Sequence, residues 1–313
     1  MNNRRPFLYA ALTGVSLVWG TSFAAAQIGM RELAPLHLVT FRFILASLIM
    51  STILLTMQNN RIERSDWPRF FGLGFMAITS YFWIQYTGLR YTTSIDAALI
   101  VATSPIATAF LSAACGGERP GRRSLTGSAA AFTGVILIVT KGNFAALFQS
   151  ESSFGALLLF TNSIVWAGFT LYGKTVLKKY PPFMAIAYIH ICGTLLLLPA
   201  ALIPGLFAEQ PFFATLSAIT LPTVMAAVYL ATLCSVYAYY VWYLGIEEIG
   251  AVRTAGFSYM NPLFAIAAGL LFMGESISVW VAVGGLLVLG GVYCINSSST
   301  IRVSERGKAY GQN

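Results

Sequence analysis

Long apolar runs separated by short polar or helix-breaking stretches dominate the chain. They predict ten spanning helices at about 8–30, 35–56, 70–90, 93–115, 124–141, 154–177, 183–205, 222–246, 251–273 and 277–296. A run of roughly 20 apolar residues, rising about 1.5 Å each, is what a bilayer core requires. Breaks fall at Pro35, Gln58 to Asn60, Gly116 and Gly117, and Pro181 and Pro182, where helix formation is unfavourable.

Composition agrees with the pattern. Of 313 residues, 57% are hydrophobic and only 10% charged, with a mean hydropathy of +0.72, far from a soluble domain with about 25% charge. The expected fold class is an all-α integral membrane protein. Ten spans leave too little chain for a separate soluble domain. The four cysteines, Cys115, Cys192, Cys234 and Cys294, lie in or beside apolar runs without CxxC spacing and read as small core residues.

A net charge of +8 would suggest nucleic acid in a soluble protein, but here the cations track the loops. With the N-terminus in the cytoplasm, Arg4, Arg5, Arg61, Arg64, Arg69, Arg119, Arg122, Arg123, Lys174, Lys178, Lys179, Arg302, Arg306 and Lys308 face inward. Only Arg31, Arg90 and Lys141 face outward. This asymmetry places both termini in the cytoplasm. Arg4 and Arg5 flank the first helix rather than opening an export signal, because the apolar run behind them leads only to further spans.

The chain repeats itself. A shift of 157 lays Gly88 on Gly245, Pro105 on Pro262, Gly117-Glu118 on Gly274-Glu275, Gly127 on Gly284 and Gly134 on Gly291. In the front part a shift of 147 lays Val18-Trp19 on Val165-Trp166 and Pro35 on Pro182. Five helices per unit is an odd number, so the second copy enters from the opposite side, giving two inverted five-helix repeats. The expected divisions are a cytoplasmic N-terminus at 1–7, repeats at 8–145 and 154–297, and a cytoplasmic tail at 298–313.

Several short motifs recur in order: VWGTSF at Val18 to Phe23, Pro35 with Arg42-Phe43, Ser104-Pro105, Gly117-Glu118, Val165-Trp166-Ala167, Ser258 to Pro262 and Gly274-Glu275. Together, over roughly residues 8 to 297, they resemble the EamA-type drug/metabolite transporter superfamily. The resemblance implies a ten-helix bundle with a central cavity lined mainly by helices 1, 3, 4, 6, 8 and 9. It also implies secondary transport, often export, of amino acids, other metabolites or drugs.

Trp19 and Trp166 lie within spans rather than in an interfacial aromatic belt. With Tyr81 and Tyr259 they offer apolar faces bearing NH or OH groups. Gln85 shares a helix face with Tyr81, and Asn162 lies one turn before Trp166. Adding Thr103 and Asn261, the expected substrate-binding set is Trp19, Tyr81, Gln85, Thr103, Asn162, Trp166, Tyr259 and Asn261. Packing between helices is the competing reading for each.

For coupling and gating, the residues are Arg42, Asp96, Pro105 and Pro262. Arg42 lies roughly 10 Å deep from the outer end of helix 2, and Asp96 enters helix 4 from the same side, so a pair or a water-filled vestibule is expected; Arg42 reads as a structural or gating residue, as the partner of Asp96 or as an anchor for a substrate carboxylate. Two readings stand for Asp96: a proton or cation site, or a structural tie. The second has support in the repeat, where Arg90 and Asp96 correspond to Glu247 and Arg253 with reversed sign. Pro105 and Pro262 are expected to bend helices 4 and 9 near mid-membrane. Glu118 and Glu275 read as helix-end charges, and His37 and His190 as residues near span entrances.

These features predict a multi-pass inner-membrane transporter whose partners are the lipid bilayer and a small-molecule substrate, foremost an exported amino acid or related metabolite. It would need no cofactor, no metal and no nucleic acid, and it lacks the converging catalytic groups of an enzyme. A multidrug exporter is the nearest rival, and a channel or non-transporting membrane protein the rival of another class.

Overall fold

The structure, a computed structural model, describes residues 4–58, 60–115, 121–143, 151–203, 211–217, 219–249, 254 and 257–310. Among them every regular element is helical. In chain order these are α1 (Arg4–Gly29), α2 (Pro35–Leu55), α3 (Trp67–Gly74), α4 (Tyr81–Leu89), α5 (Ser94–Val101), α6 (Ser104–Ala114), α7 (Arg122–Thr140) and α8 (Glu151–Lys179). There follow α9 (Pro182–Leu202), α10 (Phe212–Leu216), α11 (Leu221–Tyr229), α12 (Ala238–Ile249), α13 (Asn261–Phe272) and α14 (Val279–Tyr310). π-Helical segments, Phe75–Ser80 and Leu230–Tyr237, join α3 to α4 and α11 to α12.

Seven stretches among the described residues are long and apolar enough to cross a membrane: Pro6–Gly29, Pro35–Leu55, Ser94–Ala114, Arg122–Thr140, Glu151–Gly173, Pro182–Leu202 and Leu221–Ile246. Asn261–Phe272 and Val279–Cys294 are shorter apolar helices. Large apolar side chains such as Leu48, Phe75, Leu157, Leu271 and Leu286 are exposed on the outside of the bundle, which suits a hydrocarbon solvent and not water.

Local signals account for the ends. Proline at the first turn starts α2 and α9, where its missing N–H has no helical partner to lose. Thr93 caps α5 by accepting from the Asp96 N–H at 3.1 Å. Pro105 and Pro262 each occupy the second residue of a fresh helix. The expected bends are therefore breaks: α5 stops at Val101 and α6 begins at Ser104, and a 3-10 turn at Phe257–Met260 precedes α13.

Element starts fall at fixed intervals. Pro35 and Pro182 are 147 apart; Tyr81 and Ala238, Ser104 and Asn261, and Arg122 and Val279 are 157 apart. α7 and α14 cross in direct backbone contact. A Cβ at Gly134 would collide with the Gly284 carbonyl oxygen, and one at Gly291 with the Gly127 carbonyl oxygen. Each contact thus pairs one glycine with the partner's equivalent of the other.

Polar ties close both ends of the bundle. At one end Glu32 accepts from the Thr220 N–H (2.8 Å) and hydroxyl (2.7 Å). There too Glu275, held after a left-handed Gly274 (φ +64°), accepts from the Ser94 and Ile95 N–H groups at 2.7 and 3.1 Å. Glu275 therefore caps α5, where a carboxylate complements the helix dipole, and does so from the other half of the chain. Its repeat mate Glu118 lies outside the described residues.

At the opposite end Lys179 Nζ donates to Asp66 (2.7 Å) and Glu63 (2.6 Å), and the Tyr180 hydroxyl donates to Asp66 at 2.6 Å. Bonds from Lys179 and Tyr180 hold the Asp66 carboxyl below its ordinary range. Bonds to Asp66 and Glu63 raise the Lys179 ammonium above its own. A depressed carboxylate contributes above its unfolded value, about pH 4, and loses that contribution as pH falls through the folded value. A raised lysine contributes below about pH 10 and loses it as pH rises through its folded value. Lys179→Met is therefore expected to lower the thermal midpoint by a constant amount between pH 5 and 9, with the gap closing only under stronger acid or stronger alkali. A gap that varied within that window would show that another group controls this end.

Candidate substrate site

Arg42 organises the interior. It is 3% exposed on α2, and its Nε donates to the Ser235 hydroxyl at 2.9 Å while NH1 donates to the Tyr86 hydroxyl at 2.7 Å. The guanidinium lies over the rings of Phe82 and Phe43, 4.3 and 4.9 Å from their centroids. All four neighbours are neutral. Among the described residues no carboxylate pairs with it.

The pairing of Arg42 with Asp96 does not occur. Asp96 lies at the start of α5 and pairs with Lys141 Nζ at 3.6 Å, within the same half and at the bundle rim. Arg90, the other expected partner, is exposed. Asp96 is drawn to Lys141 because the left-handed end of α7 brings that residue (φ 46°) back over the first turn of α5. Arg253 lies outside the described residues, as does the side chain of Glu247.

Around Arg42 the structure assembles much of the expected set. Tyr81, Gln85 and Tyr86 project from α4, and Gln85 Nε2 donates to the Tyr81 hydroxyl at 3.3 Å. The Tyr81 ring packs on Trp166 of α8 at 5.1 Å. Asn162, one turn before Trp166, is 0% exposed and faces the Tyr81 hydroxyl, yet neither amide atom completes a well-formed hydrogen bond. An unsatisfied buried amide is costly.

Trp19 of α1 is tied to the same region. Its Nε1 donates to the Cys234 carbonyl at 3.0 Å, and its ring meets Tyr239 and Trp242 at 5.6 and 5.0 Å. Cys234 and Ser235 are adjacent in the π-helical segment, so one turn of chain holds both Trp19 and Arg42.

The remaining expected residues lie at the helix breaks. Thr103 is buried between α5 and α6, its hydroxyl donating to the Ile100 carbonyl at 2.7 Å. Its neighbour Ser104 donates to Ser163 at 3.2 Å, next to Asn162. Asn261 opens α13, its carbonyl against Gly20 of α1 and its Oδ1 buried without a partner. Tyr259 is in the preceding 3-10 turn; its side chain lies outside the described residues.

Ser235, Tyr239 and His190 were not anticipated. Ser235 carries no distinguishing sequence signal. His190, expected near a span entrance, is buried midway along α9 between the rings of Phe43 (5.5 Å) and Tyr239 (5.0 Å). One ring nitrogen faces the Ile186 carbonyl at 2.9 Å and the other is unpartnered. Its position, eight residues beyond Pro182 in a 21-residue helix, already indicated the interior. His37, in contrast, lies in the first turn of α2, buried against Phe212 at 5.4 Å. Among the described residues no cluster of three or more metal-ligating side chains occurs.

This arrangement of an aromatic-walled, polar interior in a helical bundle accords with the chain's matches. The model of the EamA-like transporter family matches twice, over residues 7–140 and 153–297. The chain belongs to the EamA-like transporter family. An uncharacterized transporter of Archaeoglobus fulgidus is 34% identical, with 93% of this chain and 97% of that protein covered. A probable terminal-alkyne amino-acid exporter of Streptantibioticus cattleyicolor is 25% identical over 94% of this chain and 95% of its own length. A probable amino-acid metabolite efflux pump of Salmonella typhimurium is 23% identical, with 89% and 91% covered. A solved crystal structure shares the fold, with a TM-score of 0.61 at 18% identity over 91% of this chain and 96% of that one. The EamA-like protein is thus a multi-pass membrane transporter and not an enzyme.

Proposed function

We propose that this transporter exports amino acids or closely related carboxylate-bearing metabolites from the cytoplasm across the inner membrane. It does so by alternating access between two inverted five-helix halves of a ten-span bundle, with both termini cytoplasmic. The observation that carries the substrate class is the Arg42 guanidinium, buried among neutral partners. A buried cation lacking an anion favours a ligand that supplies one, and an α-carboxylate has the right charge and shape. Trp19, Tyr81 and Trp166 supply apolar walls for the remainder of the solute, with Gln85, Asn162, Thr103, Asn261 and Tyr259 as its polar contacts. The same aromatic walls favour a second reading, export of amphipathic drugs.

The matched intervals between element starts and the reciprocal glycine crossing of α7 and α14 support the doubled architecture. In this reading Asp96 with Lys141 and the Glu275 cap of α5 act as gating ties, and the helix breaks ahead of Pro105 and Pro262 supply the moving joints.

The test is loss of solutes from proteoliposomes loaded with mixed amino acids and metabolites, followed by mass spectrometry with and without a proton gradient. Selective, saturable loss of amino acids, with counterflow and without loss of their methyl esters, is the expected result. Loss of lipophilic cations alone would replace the amino-acid reading with drug export, and unsaturable flux would indicate a channel.

A further inference from the structure

A cavity of about 730 Å³ lies between α6, α7 and α8, away from Arg42, and is walled by Ile106, Phe110, Leu125, Phe132, Phe160 and Ile164 among others. Ser128 also lines it, but its hydroxyl is taken up by the Ser124 carbonyl at 2.7 Å. No wall offers a polar group that would select a transported metabolite. Phe110, Leu125, Phe132 and Ile164 are also exposed on the bundle surface, so the groove opens sideways into the hydrocarbon. At its far end Phe132 and Phe160 meet edge to face at 5.6 Å.

Its near end is cationic. Leu125, Ala129 and Phe132 recur at helical spacing along one face of α7, and Arg122, exposed at the first residue of the helix, continues that face one turn earlier. Among the described residues Arg122 has no ion-pair partner. It stands at the N-terminus of a 19-residue helix, whose dipole also favours an anion. From Arg122 to Phe132 the helix rises roughly 15 Å, half of the roughly 30 Å hydrocarbon core. One leaflet's acyl chain fits that depth.

We propose that this groove is a binding site for one anionic phospholipid, an acyl chain lying between α6, α7 and α8 and its phosphate held by Arg122. The lipid buttresses α6 and α8, the helices that carry Ser104 and Trp166 at the central site. The inference depends on the membrane setting alone and stands whichever solute is carried.

The test is native mass spectrometry of the full chain in detergent, titrated with phosphatidylglycerol or phosphatidylcholine. One phosphatidylglycerol is expected to be retained about fivefold more strongly than phosphatidylcholine, a cation near the headgroup accounting for a factor of that order. Arg122→Gln should remove the preference, and Ala129→Phe, which fills the groove, should remove the retained lipid altogether. Arg31→Gln, at an exposed cation elsewhere, should change neither, and thermal unfolding shows that each variant is folded. Equal retention of the two lipids, retention insensitive to both groove variants, or a second copy of the chain in place of lipid would overturn the proposal.

Discussion

Arg42→Met is expected to abolish transport of carboxylate-bearing solutes while leaving a folded protein. The two consequences have one cause. Arg42 is bonded to two hydroxyls and stacked on two rings, and no described acid depends on it. Its removal leaves no stranded carboxylate, the usual source of severe loss at a buried ion pair. Ser235 keeps its bond to the Leu230 carbonyl at 3.1 Å, so the Tyr86 hydroxyl is the main group left unsatisfied. For the substrate the loss is far larger. Deleting one side of a buried, hydrogen-bonded charge pair costs about 2–5 kcal/mol, a factor from about thirty to several thousand in affinity. Arg42→Lys should fall between, retaining the charge but not the planar fork. The readout is initial-rate counterflow in proteoliposomes, with size-exclusion profiles as the folding control. Wild-type rates in Arg42→Met would sink the carboxylate assignment.

The second large effect concerns folding. Gly134→Leu should remove most folded protein, because the added Cβ meets the backbone of Gly284 and the side chain and N–H of Val288, not the movable tip of a side chain. Overpacking a relaxed core costs about 1–3 kcal/mol, and two backbones in contact have less room to yield. Against a total stability of about 5–15 kcal/mol, separation of α7 from α14 would be severe. Gly290→Leu is the control, since nothing lies within 4 Å of a Cβ built there. Fluorescence-detected size exclusion separates the cases: a monodisperse Gly134→Leu peak at wild-type yield would show that this crossing is dispensable.

Where an apolar run meets a proline, the sequence is easily read. The spans expected at 35–56 and 183–205 appear as α2 and α9 within three residues. Interruptions inside apolar runs are less visible. The run at 93–115 looks continuous, yet it contains the break between α5 and α6, since hydropathy does not report which backbone bonds are made. Trp19, Tyr81, Gln85, Asn162 and Trp166 were legible as polar or amphipathic groups in the wrong solvent. Their partners were not. Arg42 binds residues 44 and 193 positions away, and Asp96 chose Lys141 through the left-handed end of α7. Such pairings follow from how helices cross, which no local pattern encodes.

The two π-helical segments mark where the site can absorb a change in chain length. A π turn accommodates an extra residue relative to an α turn. Deleting one residue within 230–237 would let the wide turn close as α while Tyr239 and Trp242 keep their face toward Trp19. Loss of one residue within 75–80 would likewise leave Tyr81, Gln85 and Tyr86 facing Trp166 and Arg42. A regular α turn has no such spare residue, and a deletion there turns everything beyond it by about 100°. Relatives whose alignments carry a single-residue gap in either π segment should therefore present the same interior to their solutes.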